Sequence, residues 1–516
     1  MTFVRVAALA ALALPVTLCA QQPPVDAAAL TITEADYISR VGIIAHDSMQ
    51  GRDTPSPGLE KTAAYIASEF ERMGLRGGAG DGSFFQRYPL RSVMVDRTRS
   101  YVRRGDVRLE FGADALPLLG DVMNGEATGD LVVVSGAGGA ASALADNAVR
   151  GSHALLVLGR DAAGVDQAVY RTLVALINAG ASSVLVVNAA GDDPWGASAE
   201  AMLQAGLSRG WVESGRASQP FLPVLQIRSA AVAELIRGSG FDLGVLQARS
   251  DQALRVDRVS GAGVTVALHY ADQEITAPNV VATLVGSDPA LRDEYVVISG
   301  HMDHEGIGSP NENGDSIYNG ADDNASGTTA VIEIAEALAS LPAAPRRSLM
   351  FILVSGEEKG LWGSEYFAEN PTVPVDRIVA DLNMDMVGRN WPDTIVAIGK
   401  EHSDLGETLE RVNAAHPELG MTAIDDLWPE QSFYTRSDHF NFARKGVPIL
   451  FFFNGVHEDY HGLDDEADRI DGEKAARVAR LVFYLAVELA DAENRPEWNP
   501  DSYARIVDGP SGRANR

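Results

Sequence analysis

YVVISGHMD (295–303), NGADDNASG (319–327) and LMFILVSGEEKGLWGS (349–364) decide the fold of this chain. Tyr295 to Ser299 and Leu349 to Val354 are short hydrophobic runs of strand length. Between them, Gly327 to Ser340 places Val331, Ile334 and Leu338 on one helical face. The stretch therefore reads as strand, loop, helix, strand. Its polar side chains fall just past the strand ends, where open α/β sheets keep their ligands.

Working outward, the same alternation runs on after Gln273. Ile378 to Asn383 and Val447 to Phe453 are further central strands, and Ala475 to Leu489 is a helix with Val478, Leu481, Val482, Leu485 and Leu489 inward. The pattern predicts an α/β fold, a mostly parallel central sheet with helices on both faces. Upstream, Ile32 to Leu75 reads as helical, broken at Asp53–Thr–Pro–Ser–Pro–Gly58, with Leu59, Ala63, Ile66, Phe70 and Met73 on one face and Gly74 placed to end it. Residues 97–273 are richer in Ala, Gly and Val, with short strands at Leu131 to Val134, Ala154 to Leu158 and Val184 to Val187. The expected organisation is an export signal at 1–20, a first catalytic segment at 21–96, an inserted domain at 97–273, the main catalytic segment at 274–493 and a polar, frayed tail at 494–516. Gly136–Ala–Gly–Gly–Ala–Ala141 followed by Asp161 outlines a dinucleotide fingerprint, but in so Ala/Gly-rich a stretch it is weak evidence and no such cofactor is expected.

With 516 residues, 46% of them hydrophobic, the chain is too long for one core. Its formal net charge of −29 is spread along the sequence, which argues against nucleic acid or an anionic membrane surface as partner. Arg5 followed by the apolar run Val6 to Leu18 has the form of an export signal and is too short to span a bilayer. Cys19 is the only cysteine, so cleavage after Ala20 leaves no disulfide. Leu18 is bulky where a lipid-anchored signal prefers a small residue, so a periplasmic or secreted protein without a membrane span is expected.

The chemistry lies at the strand ends. His301 ends one strand, and Asp303, two residues on, points the same way, so its carboxylate can accept from the imidazole and fix the tautomer. Asp322 and Asp323 offer carboxylates at a Gly-rich loop, although helix capping by Asp and Asn is the ordinary alternative. Glu357 and Glu358 are harder to explain structurally, because two carboxylates beside a buried strand cost desolvation unless a cation offsets it. Asp385 and His461 follow two more strands, and Tyr460 and Asp465 frame His461. His304 and His439 read as loop-orienting residues, and His457 is the rival of His461. Arg436 suits either a substrate carboxylate or carbonyl or a structural ion pair, and Trp391 and Trp428 either line a pocket or pack. No Gly-x-Ser-x-Gly elbow is present.

His301–Met–Asp303, Asp323–Asn–Ala–Ser–Gly327, Glu357–Glu–Lys–Gly–Leu–Trp–Gly–Ser364, Asn383–Met–Asp385–Met, Ser437–Asp–His439 and Tyr460–His461 together resemble the M28 zinc peptidases, the aminopeptidase and glutamate-carboxypeptidase group. Ala179 to Asn188 is similar to the protease-associated domain often inserted in them. The resemblance implies two Zn2+, one held by His301, Asp323 and Asp385 and the other by Asp323, Glu358 and His461, with Asp323 bridging. It implies Glu357 as general base, Asp303 as the outer partner of His301 and Tyr460 as donor to the tetrahedral intermediate. An aminopeptidase acting on peptides is the expected activity. A carboxypeptidase or other amidohydrolase on the same metals is the alternative, and a metal-free receptor is disfavoured by the intact ligand set.

Overall fold

The structure, a computed structural model, describes residues 24–118, 123–136, 148–158, 167–187, 198–212, 221–249, 254–261 and 263–509. The export-signal residues 1–20 and most of the dinucleotide-like stretch, including Asp161, lie outside them. The chain divides into two compact units, one built from 1–88 and 277–516, the other from 89–276.

The first unit holds the decisive stretch. Its strands are β1 (Tyr270–Leu284, of which 277–284 belong here), β2 (Tyr295–His301), β3 (Ser348–Val354), β4 (Ile378–Met384), β5 (Thr394–Ile398), β6 (Thr422–Ile424) and β7 (Ile449–Phe453). They lie in the order β1-β3-β2-β4-β7-β5-β6. The pairs β3–β2, β2–β4 and β4–β7 are parallel, while β1 on β3 and β5 on β7 are antiparallel. β2, β3, β4 and β7 are buried nearly throughout, as parallel strands covered on both sides must be.

Strand alternation sorts the two faces. Met350, Ile352 and Val354 join one core with Phe367 of helix Trp362–Glu369 and Phe442 of helix His439–Ala443. Phe351 points the other way, where Phe70 of helix Pro57–Arg72 meets it with ring centroids 6.0 Å apart. Helices Gly327–Ala339 and Gly472–Asp491 pack on each other and on β2. The 57–72 helix is capped by the Ser56 hydroxyl, which accepts from Leu59 N–H, and Gly74 leaves it at φ +79°. The tail read as frayed carries a further helix, Pro500–Ile506, capped by Asn499. Trp498 donates its indole N–H to the Gly446 carbonyl, and Ile506 enters the core, an anchorage that a polar composition does not reveal.

The second unit contains a six-stranded sheet centred on parallel strands Leu131–Ser135, His153–Val157, Ser183–Val187 and Val224–Ile227, with helix Gln167–Asn178 among its connections. A four-stranded antiparallel sheet accompanies it. None of its strands carries a His/Asp/Glu cluster among the described residues.

Candidate metal centre

β2 delivers His301 as its last residue, and the chain turns so that the Asp303 main-chain carbonyl lies 3.3 Å from the imidazole Nδ1. A carbonyl only accepts, so Nδ1 carries the proton and Nε2 presents a lone pair. That Nε2 lies 3.3 Å from Asp323 Oδ1 and 3.3 Å from Asp385 Oδ1. The Asp303 carboxylate stands farther from the imidazole, at 3.7 Å. It accepts instead from the Thr54 hydroxyl at 2.9 Å and from the N–H groups of Gly356 at 2.7 Å and Glu357 at 3.3 Å. Asp303 therefore fixes the imidazole through its backbone, and its carboxylate holds the loop that carries Glu357 and Glu358.

Asp323 sits in the turn Ala321–Ser326, ahead of helix Gly327–Ala339, with a cis peptide to Asn324. The Asn324 side chain ties this turn to β4: its amide donates to the Met384 carbonyl at 3.0 Å, and its oxygen accepts from Gly327 N–H at 2.8 Å. A Cβ at Gly327 would lie 2.3 Å from the Met384 carbonyl oxygen, so the motif glycine is needed for this approach. On the other side, the Asp465 carboxylate accepts from the N–H groups of Asp322 and Asp323. His457 Nε2 lies 3.3 Å from Asp322 Oδ2. Arg389 pairs with Asp459 at 2.9 Å. These contacts hold the segment that presents His461, whose φ is +54°. Its Nε2 lies 3.1 Å from Asp323 Oδ2 and 3.3 Å from Glu358 Oε2.

A tetrahedral zinc with nitrogen and oxygen ligands at about 2.0–2.1 Å has ligand–ligand edges of about 3.3 Å. The imidazole–carboxylate distances in both triads, His301 to Asp323 and Asp385 and His461 to Asp323 and Glu358, are 3.1–3.3 Å. Asp385 Oδ1 is buried without a hydrogen-bond partner among the described residues, which fits an oxygen that ligates a cation. The donor set of imidazoles and carboxylates suits zinc. Ser437 donates to the other oxygen, Asp385 Oδ2, at 2.9 Å.

The electrostatics point the same way. Burial raises the Glu358 carboxyl to about 9, with Asp323 adding to it. His461 is raised to about 9 by Asp323 and Glu358, although its burial opposes this. Burial pushes Glu357 well above the usual carboxylate range, opposed by His301 and reinforced by Asp438 and Asp385. So many acids in one buried cluster need positive charge.

Met386, Phe433, Phe451, Phe453 and Val456 line a cavity beside Asp323, Glu357 and Asp385, with Tyr460 and Arg436 also on its wall. Tyr460 stacks on His461 at 3.9 Å between centroids. Arg436 lies over the Phe433 ring at 4.7 Å. Trp428 packs on Phe433 and Phe453 and stacks on Trp391. His304, read from the sequence as orienting a loop near the site, has its Nδ1 2.8 Å from Glu358 Oε1. Its position right after His-x-Asp was the only available signal. His439 lies outside both triads, with Nε2 at 2.8 Å from the Tyr434 carbonyl.

Residues 279–486 match the family model described as Peptidase family M28. The chain is 30% identical over 260 residues to a probable zinc metalloprotease of Pyricularia oryzae, covering 42% of this chain and 50% of that protein. It is 28% identical over 245 residues to a probable leucine aminopeptidase of Trichophyton verrucosum, covering 46% of this chain and 63% of that one. The matches thus span about half to somewhat under two thirds of these relatives' lengths. The solved aminopeptidase from Aneurinibacillus sp. strain AM-1 aligns over 92% of this chain and 98% of its own, at 18% identity and a TM-score of 0.46.

Proposed function

Residues 279–486 are a domain of peptidase family M28, and from that premise we propose that the protein is an exported di-zinc aminopeptidase. The observation that carries the reading is that His301 and His461 each lie at zinc-like distances from two carboxylates, with Asp323 common to both, and that Glu357 stands on the cavity wall beside them. His301, Asp323 and Asp385 would hold one cation, and Asp323, Glu358 and His461 the other. When bound, the cations supply Lewis acidity toward water and toward the scissile carbonyl.

Glu357 accepts a proton from the attacking water as the water oxygen bonds to the carbonyl carbon. Such transfer contributes typically ~10²–10⁴-fold in rate. Tyr460 donates its hydroxyl to the developing oxyanion. Glu357 then returns the proton to the leaving nitrogen as the C–N bond breaks, giving a free amino acid and a peptide shorter by one residue. Asp303 keeps Glu357 in place through the loop N–H groups. The apolar side of the cavity, Met386, Phe433, Phe451, Phe453 and Val456, favours an aliphatic or aromatic side chain on the released residue.

The test is mass spectrometry of products from matched peptides with free or acetylated N-termini. Stepwise loss from free N-termini alone, stopped by chelator, is expected. Trimming from the C-terminus would replace the reading with a carboxypeptidase, and no cleavage by the zinc-loaded protein would refute both.

A further inference from the structure

His304 is fully buried, and its ring meets Glu358 at a distance unlike those of the triads. Nδ1 lies 2.8 Å from Glu358 Oε1, inside the tetrahedral edge of about 3.3 Å and at hydrogen-bond length. The same nitrogen is 4.0 Å from Asp323 Oδ2, beyond that edge. One nitrogen too near one carboxylate and too far from the other is a hydrogen-bond donor in shape, not a ligand. Resting on the metal-centre reading above, we propose that His304 is a positioning residue that clamps Glu358: its Nδ1–H donates to Oε1 and leaves Oε2, the oxygen facing His461, for the cation.

The ring is held in that pose by its surroundings. A Cβ at Gly320 would lie 2.4 Å from His304 Cδ2 and 2.5 Å from Cγ, so the glycine leaves the only room for the imidazole face. Gly320 is anchored by buried Arg52, which donates to the carbonyls of Gly320 at 2.9 Å, Asn319 at 2.6 Å and Met302 at 2.9 Å. The His304 main-chain N–H in turn donates to the Arg52 carbonyl at 3.3 Å. The far nitrogen, Nε2, is buried without a hydrogen-bond partner among the described residues. A lone pair is tolerated there better than an unsatisfied N–H, which selects the tautomer with the proton on Nδ1. A neutral donor fixes the carboxylate without adding charge that would compete with the cation.

The experiment strips the full-length protein of metal and titrates Zn2+ against a chromophoric chelator for the wild type, His304→Phe and His304→Asn. Phe keeps the ring volume against Gly320 and removes the donor; Asn keeps an N–H donor near the Nδ1 position. The wild type should bind two ions, His304→Phe should weaken one of them roughly 10–100-fold and spare the other, and His304→Asn should recover most of the loss. Unchanged affinities in His304→Phe overturn the clamp. Outright loss of one ion in both variants makes His304 a ligand and also overturns it. A wild type that binds no zinc refutes the metal-centre reading itself, an outcome distinct from either. The imidazole nitrogen spectrum of the zinc-loaded wild type supplies a measurement without a variant: His304 must keep its Nδ1 proton, and its loss would overturn the proposal.

Discussion

The Asn324 side chain donates to the Met384 carbonyl at 3.0 Å, joining the turn that bears Asp323 to the strand whose next residue is Asp385. One amide thereby sets the separation of two carboxylates that face the same imidazole nitrogen. Its oxygen is also engaged, by the N–H groups of Gly327 and Met386.

Replacing Asn324 by Asp keeps the size and turns the donor into a charge facing that carbonyl. Leaving a buried polar group unsatisfied costs about 1–3 kcal/mol. Urea unfolding of the metal-free protein should show at least that loss, and zinc affinity should fall with it. Unaltered stability would mean the tie contributes nothing.

Glu357→Gln removes the base and leaves both triads intact. Metal content by mass spectrometry should equal that of the wild type, while kcat falls by roughly 10²-fold or more. Full turnover in a metal-replete variant would exclude Glu357 as the base.

Zinc should stabilise the folded chain, since the unfolded chain has no assembled site. With free zinc at about 100 times its dissociation constant, the gain is ~2.7 kcal/mol per site. Thermal melts should rise when zinc is restored to chelator-treated protein, and Asp323→Asn, which weakens both sites, should lose most of the rise. Equal shifts in the two proteins would exclude a bridging role.

His439 supplies a pH dependence of stability outside the two triads. Burial lowers its pKa from the ordinary 6.5 to about 3, with the Tyr434 carbonyl opposing, and its ring stacks on Phe451. The fold holds it neutral, so this contribution is complete above the unfolded pKa near 6.5 and is lost as pH falls toward 3. Between pH 7 and 5 it removes about 2 kcal/mol of stability. His439→Gln does not titrate, so its urea midpoint should fall less over that interval. Parallel pH profiles would show that His439 does not carry the effect.

The strands, the helix between them and the order of the candidate ligands were legible in the sequence. Apolar runs of strand length specify buried strands wherever they lie in space, and polar groups just past them must fall at the carboxyl edge of the sheet. Tertiary structure decided which atoms meet. Asp303 is two residues from His301, yet the turn after β2 sends its carboxylate to Thr54 and Gly356. Asp465 closes on the N–H groups of Asp322 and Asp323 from more than 140 residues away. His304 and His461 are alike as residues beside carboxylates, and they differ in geometry: His304 lies 2.8 Å from Glu358 and 4.0 Å from Asp323, His461 3.3 Å and 3.1 Å. Those distances depend on how loops from different strands converge. Sheet order and backbone hydrogen bonds fix that convergence, and residue spacing along the chain does not encode it.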